Sequence, residues 1–128
     1  MAMQQDIRIL LAEDNEINQR LVLLTMKQLG ISCDVAANGQ EAVEMHLNQV
    51  YDLILMDMYM PLTDGLEATR QIREYEQQEG LKPVYIVALT ANTIADKQDV
   101  CLDAGMDDIF EKPLRGAKLN ELVARLKA

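Results

Sequence analysis

Two patterns of apolar residues alternate along this chain. Residues 7–12, 53–56 and 84–89 form short runs that are apolar on both faces, as in strands covered by helices on each side. Between them, apolar residues recur at helical spacing and predict amphipathic helices. After the first strand comes a helix with Ile17, Leu21, Leu24 and Gln28 on one face, widened by Val22, Met26 and Leu29. Asp14 or Asn15 is expected to cap its start, and Gly30 to close it. A short strand over 33–37 leads through an Asn38-Gly39 turn to a helix of about 40–49 that carries Ala42, Val43 and Leu47 inward.

The run Leu53-Ile54-Leu55-Met56 ends in Asp57. The stretch that follows, from Met58 to Gly65, cannot continue a central strand, because Pro61 lacks an N–H and Asp64-Gly65 is turn chemistry. Asp64 should cap a third helix with Leu66, Thr69, Ile72 and Arg73 at helical spacing. The polar tail of that helix, Glu76-Gln77-Gln78-Glu79-Gly80, is expected in solvent, and Lys82-Pro83 ends the connection. A fourth strand over 84–89 exits at Thr90-Ala91-Asn92. The helix over about 94–104 has the weakest apolar pattern and is closed by Gly105. A short strand over 108–111 precedes Lys112-Pro113, and the last helix shows Leu119, Leu122, Val123 and Leu126 as one stripe.

Five strands alternating with five helices predict an α/β fold, a parallel sheet with helices on both faces. The three fully apolar strands belong in its centre and the two shorter ones at its edges. The doubly wound, flavodoxin-like order 2-1-3-4-5 satisfies this, and places a ligand crevice at the carboxyl ends of strands one and three. A chain of 128 residues fits one domain, spanning 1–128 with a core of about 7–126.

Composition narrows this picture in a few places. Aromatic residues are only 4 % and Trp is absent, so the core must be aliphatic. The net charge of −9 argues against direct nucleic-acid binding and suits a metal cation or a basic protein surface, although acidic charge also serves simply to keep a small domain soluble. Cys33 and Cys101 have no metal-ligand spacing and predict a reduced, cytoplasmic protein. No apolar run approaches the ~20 residues of a membrane span. Met1-Ala2-Met3 reads as an expression start rather than a targeting segment.

The chemistry gathers at the carboxyl ends of the strands. Strand one delivers Glu13 and Asp14, strand three Asp57, strand four Thr90 and strand five Lys112. These four strands are consecutive neighbours in the predicted sheet, ~4.8 Å apart, so the five residues share one rim. Three carboxylates so close repel one another unless a hard divalent cation joins them, and Mg²⁺ is the natural choice. With Lys112 and the Thr90 hydroxyl beside it, Asp57 has the surroundings of a nucleophile in phosphoryl transfer. Singly, each residue is more simply a helix cap or a surface charge; the case rests on the coincidence of all five.

At these residues the chain resembles the receiver domain of two-component response regulators. The resemblance runs from about residue 7 to 126. It rests on Glu13-Asp14, on Asp57 with Met60-Pro61 and Asp64-Gly65, on Ala88-Leu89-Thr90-Ala91, on Ala104-Gly105 and on Lys112-Pro113. It implies that Asp57 accepts a phosphoryl group from a phosphohistidine of a histidine kinase or histidine phosphotransfer domain. It implies a Mg²⁺ site, open also to Mn²⁺, formed by Asp14, Asp57 and the backbone carbonyl of Tyr59, with Glu13 assisting through water. Thr90 and Lys112 would contact the phosphoryl oxygens, and Lys112-Pro113 is expected to be cis. The module would be a switch with self-catalysed phosphotransfer and dephosphorylation, acting through the surface of helix four, strand five and helix five, which is also a candidate homodimer face.

Asp14-Asn15 with Asn18, Asn38-Gly39-Gln40-Glu41-Ala42 and Gly105-Met106-Asp107-Asp108 are more similar to the receivers of hybrid sensor kinases than to those of stand-alone regulators. The chain is accordingly expected to be a piece of such a kinase, which would itself be the enzyme, with a stand-alone single-domain regulator as the alternative. Two departures stand out. Glu13 is one methylene longer than the aspartate commoner in the family. The usual aromatic three residues before the lysine is Ile109, with Phe110 one residue on and on the opposite face, which predicts a weakened coupling to Thr90. Tyr59 and Asn92 occupy positions that tune phosphoryl lifetime in the family, and Tyr59 is expected partly to shield the acyl phosphate. His46 reads as a surface histidine, and Met56, Met58 and Met60 as packing.

Three rival readings fit these residues less well. A metal-dependent phosphatase of the haloacid-dehalogenase type wants an acid where Tyr59 stands. A flavin carrier needs a first loop that attracts phosphate, which Glu13-Asp14 would repel. A receiver that only binds partners would not need all five site residues.

Overall fold

A computed structural model describes residues 7–60, 63–91 and 94–127, with the backbone alone at 94–97 and 127. β1 (Ile9–Ala12), β2 (Cys33–Ala36), β3 (Leu53–Asp57), β4 (Tyr85–Thr90) and β5 (Asp108–Glu111) form one parallel sheet in the order β2-β1-β3-β4-β5. The intervening helices are α1 (Glu16–Gln28), α2 (Gly39–Asn48), α3 (Gly65–Glu79), α4 (Ile94–Ala104) and α5 (Gly116–Lys127). This is the doubly wound, flavodoxin-like architecture that the strand pattern predicts, with strand boundaries differing by one or two residues.

The parity of the central strands divides the core. Leu10, Ala12, Ile54, Met56, Ile86, Ala88 and Ile109 face α2, α3 and α4, where they meet Ala42, Val43, Ala68, Ile72 and Cys101. Ile9, Leu11, Leu53, Leu55, Val87, Leu89 and Phe110 face α1 and α5, where they meet Val22, Met26, Leu119, Leu122 and Val123. Each fully buried aliphatic side chain contributes about 1.5–3 kcal/mol of transfer free energy, so both layers are needed to hold the central strands. Ile109 and Phe110 lie on opposite faces, as their adjacency in a strand requires.

The helix starts follow their caps. Asn15 Oδ1 accepts the N–H of Asn18 at 3.0 Å, Asn38 Oδ1 that of Glu41 at 2.7 Å, and Asp64 Oδ1 that of Glu67 at 2.8 Å. Gly30, Gly80 and Gly105 sit at positive φ after α1, α3 and α4.

Three expectations are corrected. On α1 the row Ile17, Leu21 and Leu24 is exposed, at 68 %, 52 % and 55 %, and the sheet takes Val22 and Met26 instead. Two apolar rows about one residue apart both satisfy a helical period, and only one can face the sheet. Leu47 on α2 is exposed and His46 is buried in its place. Glu76, expected in solvent, is buried, because Arg73 and the N–H of Val84 satisfy its carboxylate. The expected positions Met1, Ala2, Met3, Pro61, Leu62 and Asn92 lie outside the described residues.

Candidate functional site

The strand register builds the rim. Ala12 pairs with Met56, Asp57 with Leu89, and Thr90 with Glu111. Glu13, Asp57, Thr90 and Lys112 therefore arrive at one end of the sheet, each at the point where its strand stops. The chain after β3 folds back tightly: Gly65 N–H donates to the Met58 carbonyl at 3.0 Å, and a Cβ on Gly65 would lie 2.2 Å from the carbonyl oxygen of Asp57. Only glycine permits that approach.

Asp57 is 6 % exposed. The N–H of Tyr59 donates to its Oδ1 at 3.3 Å, and Lys112 Nζ lies 3.2 Å from its Oδ2. The same ammonium donates to Glu13 Oε1 at 2.9 Å. Glu13 is buried and held from several sides: its backbone N–H donates to Ala36, its carbonyl accepts from Gln19 Nε2 at 2.6 Å, and its Oε2 accepts the N–H of Asn15. Asp14 is exposed at the lip, and oxygens of Glu13, Asp14 and Asp57 all lie within 4.8 Å of one another. Lys112 is tied to β4 by its N–H, which donates to the Thr90 carbonyl at 2.8 Å, and the Lys112-Pro113 bond is cis. Thr90 is buried and Tyr59 exposed.

Burial pushes the Asp57 carboxyl up to about 6; the charge of Glu13 adds to the rise and Lys112 opposes it. Lys112 is also shifted: burial alone would lower it, but the hydrogen bond to Glu13 and the charge of Asp57 carry it above its usual value. Two buried acids sharing one lysine are short of positive charge. The oxygen-only donor set and the raised Asp57 carboxyl fit a hard divalent cation beside the lip residue Asp14.

Of the expected side chains, Glu13, Asp14 and Asp57 come together at the rim, Lys112 lies against Glu13 and Asp57, and Thr90 ends the neighbouring strand at the same end of the sheet. Sequence reasoning missed Gln19, which clamps the Glu13 backbone one helical turn into α1. It also missed the exposed face of α1. There Leu21 and Leu24, with Pro113 and Leu114, line a cleft of about 180 Å³ that is also bounded by Glu13 and Lys112. The two apolar rows on α1 were the available signal: the row left over from core packing must face outward.

The sequence model described as the response regulator receiver domain matches residues 9–125. The hybrid signal transduction histidine kinase F of Dictyostelium discoideum is 44 % identical over 92 % of this chain, which spans 11 % of that protein. The chain therefore corresponds to about a tenth of the length of such relatives. Among solved structures, the Saccharomyces cerevisiae receiver domain of Ssk1, crystallised with the histidine phosphotransfer protein Ypd1, superposes with a TM-score of 0.89. It is 34 % identical, and the match covers 98 % of this chain and 92 % of that one. The receiver domain of sensor histidine kinase PA1611 from Pseudomonas aeruginosa, with a magnesium ion coordinated in its active-site cleft, has a TM-score of 0.83 and 39 % identity. That match covers 96 % of this chain and 98 % of that one.

Proposed function

This chain belongs to the response regulator receiver domain family, and from that premise we propose that Asp57 is the phosphoacceptor of a single receiver domain, 1–128 with its core at 7–126. The observation that carries the reading is the shared ammonium: Lys112 lies within 3.2 Å of Asp57 and 2.9 Å of Glu13 at the end of the sheet. In the transfer, the phosphorus–nitrogen bond of a phosphohistidine breaks as a phosphorus–oxygen bond forms to a carboxylate oxygen of Asp57. The imidazole nitrogen keeps the electron pair of the broken bond. Lys112 and the Thr90 hydroxyl offset charge on the phosphoryl oxygens. The acceptor must be ionised to attack, and Lys112 favours that form while burial and Glu13 oppose it.

Glu13, Asp14, Asp57 and the Tyr59 carbonyl are the residues that would hold Mg²⁺, or Mn²⁺ in its place. Bound there, the ion supplies positive charge that keeps the three acids ionised together and stabilises the developing charge of the transferred group.

The partner we assign is a histidine phosphotransfer domain or the phosphohistidine domain of a histidine kinase. The exposed row Ile17, Leu21 and Leu24 supports an apolar docking face beside the acceptor. The co-crystallised Ssk1 receiver offers a parallel for such a partner. A hybrid histidine kinase as parent protein is supported by the relatives matched, with a stand-alone regulator as the alternative; a homodimer through α4, β5 and α5 is a further candidate partner. No helix among the described residues is long and apolar enough to cross a membrane, and the location proposed is cytoplasmic.

Incubation with acetyl phosphate and Mg²⁺, read by intact mass beside Asp57→Asn, tests the acceptor. The expected result is one added phosphoryl group in the wild type alone, abolished by EDTA. No addition, together with no Mg²⁺-induced rise in melting temperature, would favour a receiver that only binds partners.

A further inference from the structure

We infer that Arg73 is a positioning residue that pins the turn between α4 and β5 to α3 and to the start of β4, so that this end of the switch surface stays fixed while the end beside Thr90 moves. The movement rests on the receiver function proposed above; the anchor does not.

Arg73 makes four hydrogen bonds from one guanidinium. Nε donates to the Gly105 carbonyl at 2.9 Å, and Nη1 to Glu76 Oε1 and the Val84 carbonyl, each at 2.8 Å. Nη2 donates to Asp107 Oδ2 at 2.9 Å. The rigid fork of arginine can span these partners at once; the point charge of lysine cannot.

Each partner is itself held. Glu76 is 2 % exposed, and its Oε2 accepts the Val84 N–H at 2.7 Å with His46 Nε2 at 3.5 Å. Asp107 Oδ2 also accepts the N–H of Ile86 at 2.9 Å, and the Asp107 N–H donates to the Ile86 carbonyl. Gly105 has φ +104, and a Cβ there would stand 2.9 Å from Cγ of Arg73. The turn is thus shaped to receive the arginine, and α4 ends on it with Gly105 and Met106 bonded back to Leu102 and Cys101.

The two ends of β5 differ accordingly. Its first residue, Asp108, pairs with Val87 next to this clamp, whereas its last, Glu111, pairs with Thr90 at the acceptor rim. The clamp consists of Arg73 and Glu76 from α3, backbone groups of Val84 and Ile86, and Gly105 and Asp107 of the turn, none of which belongs to the rim. A signal that starts at Thr90 therefore meets a bonded stop one strand-length away.

Hydrogen exchange read by mass spectrometry on the full chain tests this, using Arg73→Lys, Asp107→Ala and, as a control, the α5 core variant Val123→Ala. Without ligand, Arg73→Lys and Asp107→Ala should raise exchange over 105–108 by about tenfold, the loss of a charged hydrogen bond. Val123→Ala lowers global stability and should leave the protection of 105–108 relative to β1 and β3 unchanged. With Mg²⁺ and beryllofluoride, wild-type exchange at 105–108 should hold within about twofold while the start of α4 and the end of β5 change; in the two clamp variants the change should spread into the turn. Wild-type protection of the turn in Arg73→Lys and Asp107→Ala overturns the anchor. So does a wild-type turn that loosens with beryllofluoride as much as the start of α4. If beryllofluoride alters exchange nowhere, Asp57 included, it is the phosphoacceptor reading that fails, and the unliganded variants still decide the anchor.

Discussion

Lys112 stands nearer to Glu13 than to Asp57, 2.9 Å against 3.2 Å. Glu13, just past the end of β1, therefore holds the lysine alongside Asp57, and the ammonium stands in the acid cluster as a resident cation. A divalent ion entering that cluster must compete with it. Lys112→Ala should tighten Mg²⁺ binding by about three- to tenfold at low salt, the Coulomb effect of one partly screened charge. Calorimetric titration measures this, and an unchanged or weaker affinity would remove the competition. The same variant should lose phosphorylation by acetyl phosphate.

Asp57→Asn should stabilise the metal-free protein. Burial and Glu13 raise the Asp57 carboxyl from 3.8 to about 6, so between those values the folded state holds more protons than the unfolded one. The stability this brings is complete below 3.8 and is lost as pH rises through about 6. At pH 7 in EDTA the charged carboxylate is a cost, and its removal should raise the melting temperature by about 3–6 °C. Near pH ~4 the gain should vanish. A melting curve of Asp57→Asn below that of the wild type at pH 7 would contradict the assignment.

His46 pulls the other way. Burial lowers its pKa below 6.5, opposed by Glu76 and reinforced by Arg73. Its Nδ1 is buried without a hydrogen-bond partner in the described structure. The unfolded chain then takes a proton first, so stability falls as pH drops below 6.5. It is the only histidine in the chain. In an Asp57→Asn background, melting temperature should decline from pH ~7 to ~5, and His46→Leu should flatten that decline. An unaltered slope would mean that other groups carry it.

The exposed row on α1 separates docking from chemistry. Leu21→Asp and Leu24→Asp alter side chains that are more than half exposed, so folding should be nearly unchanged. Phosphotransfer from a phosphohistidine domain should slow by about tenfold or more, while acetyl phosphate still labels Asp57 at the wild-type rate. Equal slowing with both donors would place the defect in the site rather than at the interface.

Sheet order and rim could be read from the chain because β1, β3 and β4 are apolar on both faces, which only central parallel strands require. Residues that leave such strands have no choice of side. The face of α1 was not legible, since two apolar rows compete and the winner depends on how the helix settles against β1 and its neighbours. Glu76 and His46 were misplaced because charge was read as exposure. Their positions held the clue: Glu76 continues the row of Thr69 and Ile72, and His46 that of Ala42, so both had to face inward. What makes the burial of Glu76 tolerable is the Val84 amide and the Arg73 fork, whose far partners at Gly105 and Asp107 lie more than thirty residues on. No periodicity reports such partners.

The pairing of Glu13 with Lys112 joins residues 99 positions apart. During synthesis, the first acid and the acceptor emerge long before the lysine that neutralises them. Until β5 has been made and added to the edge of the sheet, the nascent chain holds the acids without their counter-charge. Asp57 therefore gains its lysine neighbour only when almost the whole domain has folded.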